Sequence, residues 1–196
     1  MFRTLPTDRH HLGFTEQVLS SFDFLIKEYG FRVVKTEPTF VRYESSTVFV
    51  NLYHGRASYE LGFEIGRLDD GTGKEESPYS LSMIMELMRA QEERFFQAST
   101  AERVKKYVPR LADLVRTYAP AVLGGDPATF RKLIKTRLEM ANRLHEELRV
   151  RTFREEAANA WRSRDFPKVA ELYDAIFEKL TQAEIKKLNY AKRHLP

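Results

Sequence analysis

Cysteine is absent from this 196-residue chain, which removes disulfides, thiolate nucleophiles and zinc–sulfur sites together. Long hydrophobic runs are missing as well, and nothing approaches the roughly 18 apolar residues of a membrane-spanning helix. The first residues, Met1-Phe2-Arg3-Thr4-Leu5-Pro6, lack the apolar stretch of a secretory signal, so the expected compartment is the cytoplasm and no membrane partner is expected. Histidine is sparse. His10, His11, His54, His145 and His194 include no His-x-x-x-His or His-Glu-x-x-His spacing, which leaves a zinc hydrolase unsupported. No serine stands in a Gly-x-Ser-x-Gly elbow. Gly71-Thr72-Gly73-Lys74 fails as a phosphate loop, because Leu68 occupies the position of the first glycine and Glu75 follows the lysine. No metal or cofactor is expected.

What is present describes a globular protein: 42% hydrophobic and 31% charged residues, enough apolar surface to bury a core. The net charge of +4 is unevenly spread. Residues 1–98 hold 11 Lys and Arg against 15 Asp and Glu, and residues 99–196 hold 21 against 13. Much of the basic excess is interleaved with acids, as in Arg143-Leu144-His145-Glu146-Glu147-Leu148-Arg149. Interleaving of this kind describes a solvated helix face before it describes a nucleic-acid footprint.

Hydrophobic periodicity divides the chain. Val18, Leu19, Phe22, Leu25, Ile26 and Tyr29 recur at helical spacing, which predicts a helix over 15–29 with Thr15 as N-cap and Gly30 as its stop. Four strands follow, at about 31–36, 39–44, 47–53 and 58–66, with Gly55 placed to accept positive φ in the third turn. Asp69 to Pro78 reads as a polar loop. Its acids Asp69, Asp70, Glu75 and Glu76 lack the regular ligand spacing of a calcium motif. A helix over 81–90, capped by Ser80 or Ser82, buries Leu81, Ile84, Met85 and Met88.

Beyond residue 98 the period is helical. Ser99 and Glu102 match a capping box, and Pro109 predicts a kink or restart near residue 108. Asp126-Pro127 opens a long helix with Phe130, Leu133, Ile134, Leu138, Ala141, Leu144 and Leu148 on its apolar face. Thr181 and Glu184 form a second capping box near the end.

Ala157-Ala158-Asn159-Ala160-Trp161 and Arg164-Asp165-Phe166-Pro167-Lys168-Val169-Ala170-Glu171-Leu172-Tyr173 together resemble one tetratricopeptide-type helical hairpin. Arg164 stands where that turn has glycine, and Val169 where it has a small residue. One such unit cannot stabilise itself and must pack on the rest of the protein. Taken whole, through Tyr29-Gly30-Phe31, Val41-Arg42-Tyr43-Glu44-Ser45, Ser58-Tyr59-Glu60-Leu61, Ala160-Trp161 and Asp165-Phe166, the chain resembles a group of uncharacterised bacterial proteins. That resemblance supplies no catalytic residue.

The expected fold is α+β: an N-terminal helix, a four-stranded antiparallel meander and a helix over 1–98, then an all-helical segment over 99–196. Helices on one side of the sheet leave the other for Phe49, Asn51, Tyr53, Glu60 and Glu64, an aromatic and acidic set suited to protein recognition. The expected function is a non-enzymatic bacterial protein-binding module, such as an immunity or regulatory partner in a defence or toxin system. Two alternatives stand beside it: nucleic-acid association through the basic tail, which steep salt dependence would reveal, and an enzyme built from His54, Arg56 and Glu60. The helical tail is also suited to homo-oligomer formation.

Overall fold

The computed structural model describes residues 9–68 and 77–195, and the fold is α+β. Two compact units divide the chain, Met1–Thr136 and Arg137–Pro196. The division falls well past residue 98, because the first helices after the sheet share its core.

In the first unit the expected opening helix is two, α1 (Phe14–Ser21) and α2 (Asp23–Tyr29). The break falls at Phe22, which leaves helical geometry while its ring stays fully buried. Gly13, at φ 65°, takes the N-cap position; the Thr15 hydroxyl instead donates to the Glu37 carbonyl at 2.8 Å. Gly30 ends α2 at φ 70°, as expected, and Phe31 N–H returns to the Leu25 carbonyl.

The meander follows as β1 (Arg32–Glu37), β2 (Phe40–Glu44), β3 (Val48–His54) and β4 (Glu60–Arg67), all antiparallel neighbours. Two short strands share the far edge of β4: β5 (Tyr79–Ser80) pairs with Ile65 and Glu64, and β6 (Phe96–Gln97) pairs with Leu61 and Glu60. The opposite edge is β1. A register shift between Val33 and Lys35, with charges at Arg32, Lys35 and Glu37, guards it against strand addition.

One sheet face carries Val41, Tyr43, Val50, Leu52, Phe63 and Ile65. They share a core with Phe14 and Val18 of α1, Ile84 and Met85 of α3 (Leu81–Leu87), and Val104, Val108 and Val115 of α4 (Ala101–Tyr118). Ser80 caps α3, accepting from Met83 N–H at 3.3 Å, while Met88 lies past the helix end and is exposed. The cap of α4 is Thr100, accepting from Arg103 N–H, and not a box on Ser99. Helix α4 runs unbroken through Pro109. Buried Val108 and Leu111 on either side hold it to the sheet against the roughly 3 kcal/mol that an internal proline costs. The unit closes with α5 (Pro120–Leu123) and the start of α6 (Pro127–Arg162), where Asp126 accepts from the N–H groups of Ala128 and Thr129 and both Phe130 and Leu133 are buried.

Tyr43 is the polar exception in this core. Its hydroxyl is buried with no hydrogen-bond partner among the described residues. Burial, and secondarily the nearby charge of Asp23, push its ionisation far above the usual phenol range. An unsatisfied buried hydroxyl costs about 1–3 kcal/mol. Tyr43→Phe is therefore expected to stabilise the fold by roughly 1 kcal/mol, read as a raised urea midpoint at unchanged slope.

The second unit contains the rest of α6, α7 (Phe166–Asp174) and α8 (Gln182–Arg193). Ala157, Ala160, Val169, Leu172, Tyr173, Ile176 and Leu188 form its core. Trp161, Phe166 and Tyr190 meet edge to face at 5.4–5.9 Å. Arg164 closes the α6–α7 turn at φ 60°, a conformation that favours glycine. Asp165 caps α7, and the Thr181–Glu184 capping box is formed. The expected apolar face of α6 is buried only in part: Ile134, Leu138, Leu144 and Leu148 are exposed.

Candidate functional site on the second sheet face

Strand alternation decides which side chains share a face. The register pairs Phe49 with Gly66, Asn51 with Glu64 and Tyr53 with Gly62, and sets Glu60 opposite Gln97 of β6. All five predicted residues, Phe49, Asn51, Tyr53, Glu60 and Glu64, therefore lie on the face turned away from the core. Arg42 of β2 joins them opposite Asn51, whereas Tyr43 faces inward.

Sharing a face does not make them equally accessible. Phe49 is buried: the Arg42 guanidinium lies 4.2 Å over its ring and bonds Glu44 at 2.8 Å. It supports Arg42 and offers no contact surface itself, a correction to the sequence reading. Asn51 is half-buried and donates to the Glu64 carboxylate, while its own Oδ1 has no partner among the described residues. Burial raises the Glu64 pKa, and the Asn51 bond opposes the rise. Tyr53 spans the gap left by Gly62, where any Cβ would strike its ring. Its phenol is held above the usual range by burial and then by the charges of Glu64 and Glu60.

Glu60 marks where the face deepens. It lines a cleft of about 520 Å³ with Glu93, Phe95, Gln97, Arg103 and Tyr107. Glu60 and Phe95 also line a small hollow of about 30 Å³ beside Tyr53 and Gly62, so Tyr53 and the larger cleft adjoin. Phe95 is 64% exposed, a large aromatic left in water at the rim. Glu93 is answered by Arg110 at 3.9 Å; Glu60 and Glu64 form no ion pair among the described residues. The cleft residues Phe95, Arg103 and Tyr107 carry no sequence signal of their own. The pairing of β6 with β4 brings Phe95 to Glu60, and α4 supplies Arg103 and Tyr107.

His54, Arg56 and Glu60 do not converge. His54 sits opposite Leu61 on the core face and is buried, its Nε2 donating to the Ala98 carbonyl at 2.8 Å. With Arg56 it lines a separate hollow of about 320 Å³ beside Phe40 and Tyr53, and Glu60 is not part of it. The turn above is clamped by buried Arg9, which bonds the carbonyls of Gly55 and Arg56 and stacks 4.3 Å over Tyr59. Its left-handed residue is Tyr59 at φ 54°, and not Gly55.

Among the described residues no three His, Asp or Glu side chains are grouped to hold a metal ion, and no helix is long and apolar enough to cross a membrane. Asp69, Asp70, Glu75, Glu76 and the stretch Gly71–Lys74 lie outside the described residues. Comparison with protein-family models, curated proteins and solved structures finds no match.

Proposed function

We propose that this protein is a non-enzymatic binding module whose second sheet face receives a basic segment of a protein partner. The observation that carries the reading is the Glu60 carboxylate, without an ion pair among the described residues, beside the half-buried Tyr53 and the exposed Phe95. Aromatic faces attract a lysine or arginine head group by about 0.5–2 kcal/mol, depending on how far it is desolvated. A carboxylate beside them adds a charge-assisted hydrogen bond. Tyrosine and phenylalanine also contribute contact area at low entropic cost.

The test is selection of peptides from a random display library on the full-length chain, followed by affinity measurement. Enrichment of Lys- or Arg-containing sequences is expected. Glu60→Arg and Tyr53→Ser are each expected to weaken binding about tenfold or more, equivalent to roughly 1.4 kcal/mol, with circular dichroism unchanged. Selected peptides that bind both variants as tightly as the natural chain would remove this face from consideration.

A further inference from the structure

Helix α8, in the second unit, turns a face without acids to solvent. At 3.6 residues per turn, Ala183, Lys186, Lys187, Tyr190, Arg193 and the C-cap residue His194 fill one arc about 120° wide. No Asp or Glu falls inside that arc. It differs in this from the run at 143–149, where Glu146 and Glu147 stand among the bases. Charge elsewhere on the helix is answered: Glu184 meets Arg154 at 2.9 Å, and Lys192 meets Asp174 at 2.7 Å. Lys186, Lys187 and Arg193 have no carboxylate partner among the described residues.

Aromatic rings are set into the same arc. The exposed His194 imidazole lies flat against the Tyr190 ring, with centroids 4.0 Å apart at 19°. Its Nδ1 donates to the Tyr190 carbonyl at 2.8 Å. Tyr190 is 46% exposed and is braced edge to face by Trp161 and Phe166. Lys187 stands 5.6 Å over the Trp161 ring. A braced ring pair among unanswered cations suits a ligand that carries both flat π-faces and repeated negative charge. A single nucleic-acid strand has both, because every base has a π-face and every linkage a phosphate. An acidic peptide matches the charge alone, and a duplex keeps its bases stacked on one another.

We propose that the α8 face binds single-stranded nucleic acid, with a base stacked on the His194–Tyr190 pair and phosphates meeting Lys186, Lys187 and Arg193. Lys186 to Arg193 spans about 10 Å along the helix axis, so the site holds a few nucleotides. It uses no residue of the sheet face and is independent of that reading.

The test is fluorescence anisotropy of labelled adenine strands, one RNA and one DNA, titrated with the full-length chain. Both are expected to bind, the tighter naming the sugar that the site prefers. Three phosphate contacts at about 0.7 each give a log–log salt slope near −2, so affinity should fall roughly twentyfold between 50 and 200 mM salt. Lys186→Gln/Arg193→Gln, at exposed positions, removes two of the three contacts and should reduce that fall to about threefold. Tyr190→Ala should weaken binding about tenfold through lost stacking. Trp161 is the only tryptophan of the chain, and quenching of its fluorescence by either strand is expected to place the ligand at this face. No binding at 50 mM salt, a double variant that keeps the twentyfold fall, or unchanged Trp161 fluorescence would each overturn the proposal. So would polyglutamate or the matching DNA duplex binding as tightly as the single strand.

Discussion

Phe14→Ala is expected to lower stability by about 3–5 kcal/mol, the range for deleting a fully buried aromatic. It should also change how that stability responds to acid. The Phe14 ring is buried and stacks on the His54 imidazole at 5.5 Å. His54 Nε2 donates to a carbonyl, so the lone pair belongs to Nδ1, which is buried without a donor among the described residues. A second proton would place a charge in a dry site. Burial depresses the His54 pKa below its ordinary 6.5; the Ala98 carbonyl opposes this and the Arg9 charge adds to it. The sign follows from linkage: below pH 6.5 the unfolded chain takes up a proton that the folded chain refuses. Stability is thus full above that pH, falls as pH drops towards the depressed folded pKa, and levels off beneath it. Glu64 acts in the opposite sense, because its raised pKa favours the folded state as acid approaches 4.5. Removing the Phe14 ring admits water to the imidazole and relaxes the His54 depression while leaving Glu64 alone. Urea midpoints measured for both proteins from pH 8 to pH 5 should therefore show a shallower loss in Phe14→Ala. Parallel losses would sink the role given to His54.

The sheet was legible because period-two alternation holds wherever one face is buried. The strand expected over 58–66 matches β4 to within two residues at either end. Two-residue strands have no period, so β5 and β6 left no trace, and with β6 went the cleft beside Glu60. The break at Phe22 was hidden for a related reason. Its ring falls on the apolar stripe whether the helix continues or restarts. The caps show how close the alternatives lie: Ser99 and Thr100 are both able caps, and the chain uses the second. In α6 the apolar residues gave a face but not its occupant, since periodicity records hydrophobicity and not what covers it. The same limit applied to the candidate site. Alternation put Phe49, Asn51, Tyr53, Glu60 and Glu64 on one side of the sheet, yet that Arg42 would cover Phe49 depends on a cross-strand contact that one strand's sequence does not contain.

Gly62→Val is expected to cost about 1 kcal/mol and to abolish recognition at the second face. Two effects favour the substitution. Valine restricts the unfolded chain, worth about 0.4–1 kcal/mol on replacing glycine, and suits a strand by up to about 1 kcal/mol. Against them stands the Tyr53 ring, which occupies the space a Cβ at position 62 would need, with two further methyl groups to place beyond it. Overpacking of a well-filled site costs about 1–3 kcal/mol and occasionally more. The backbones of β3 and β4 are fixed by a continuous ladder from Val48–Arg67 to His54–Leu61, so the half-exposed Tyr53 ring, met at its far end, is what must yield. The ring is forced off the sheet, away from Glu60 and the hollow it lines with Phe95. Pairing the substitution with Tyr53→Ala separates the causes. If the collision is responsible, Tyr53→Ala/Gly62→Val will be more stable than Gly62→Val alone, an interaction energy of opposite sign to simple addition. Should the double variant instead be the less stable, the glycine would be needed for its backbone and not for the ring above it.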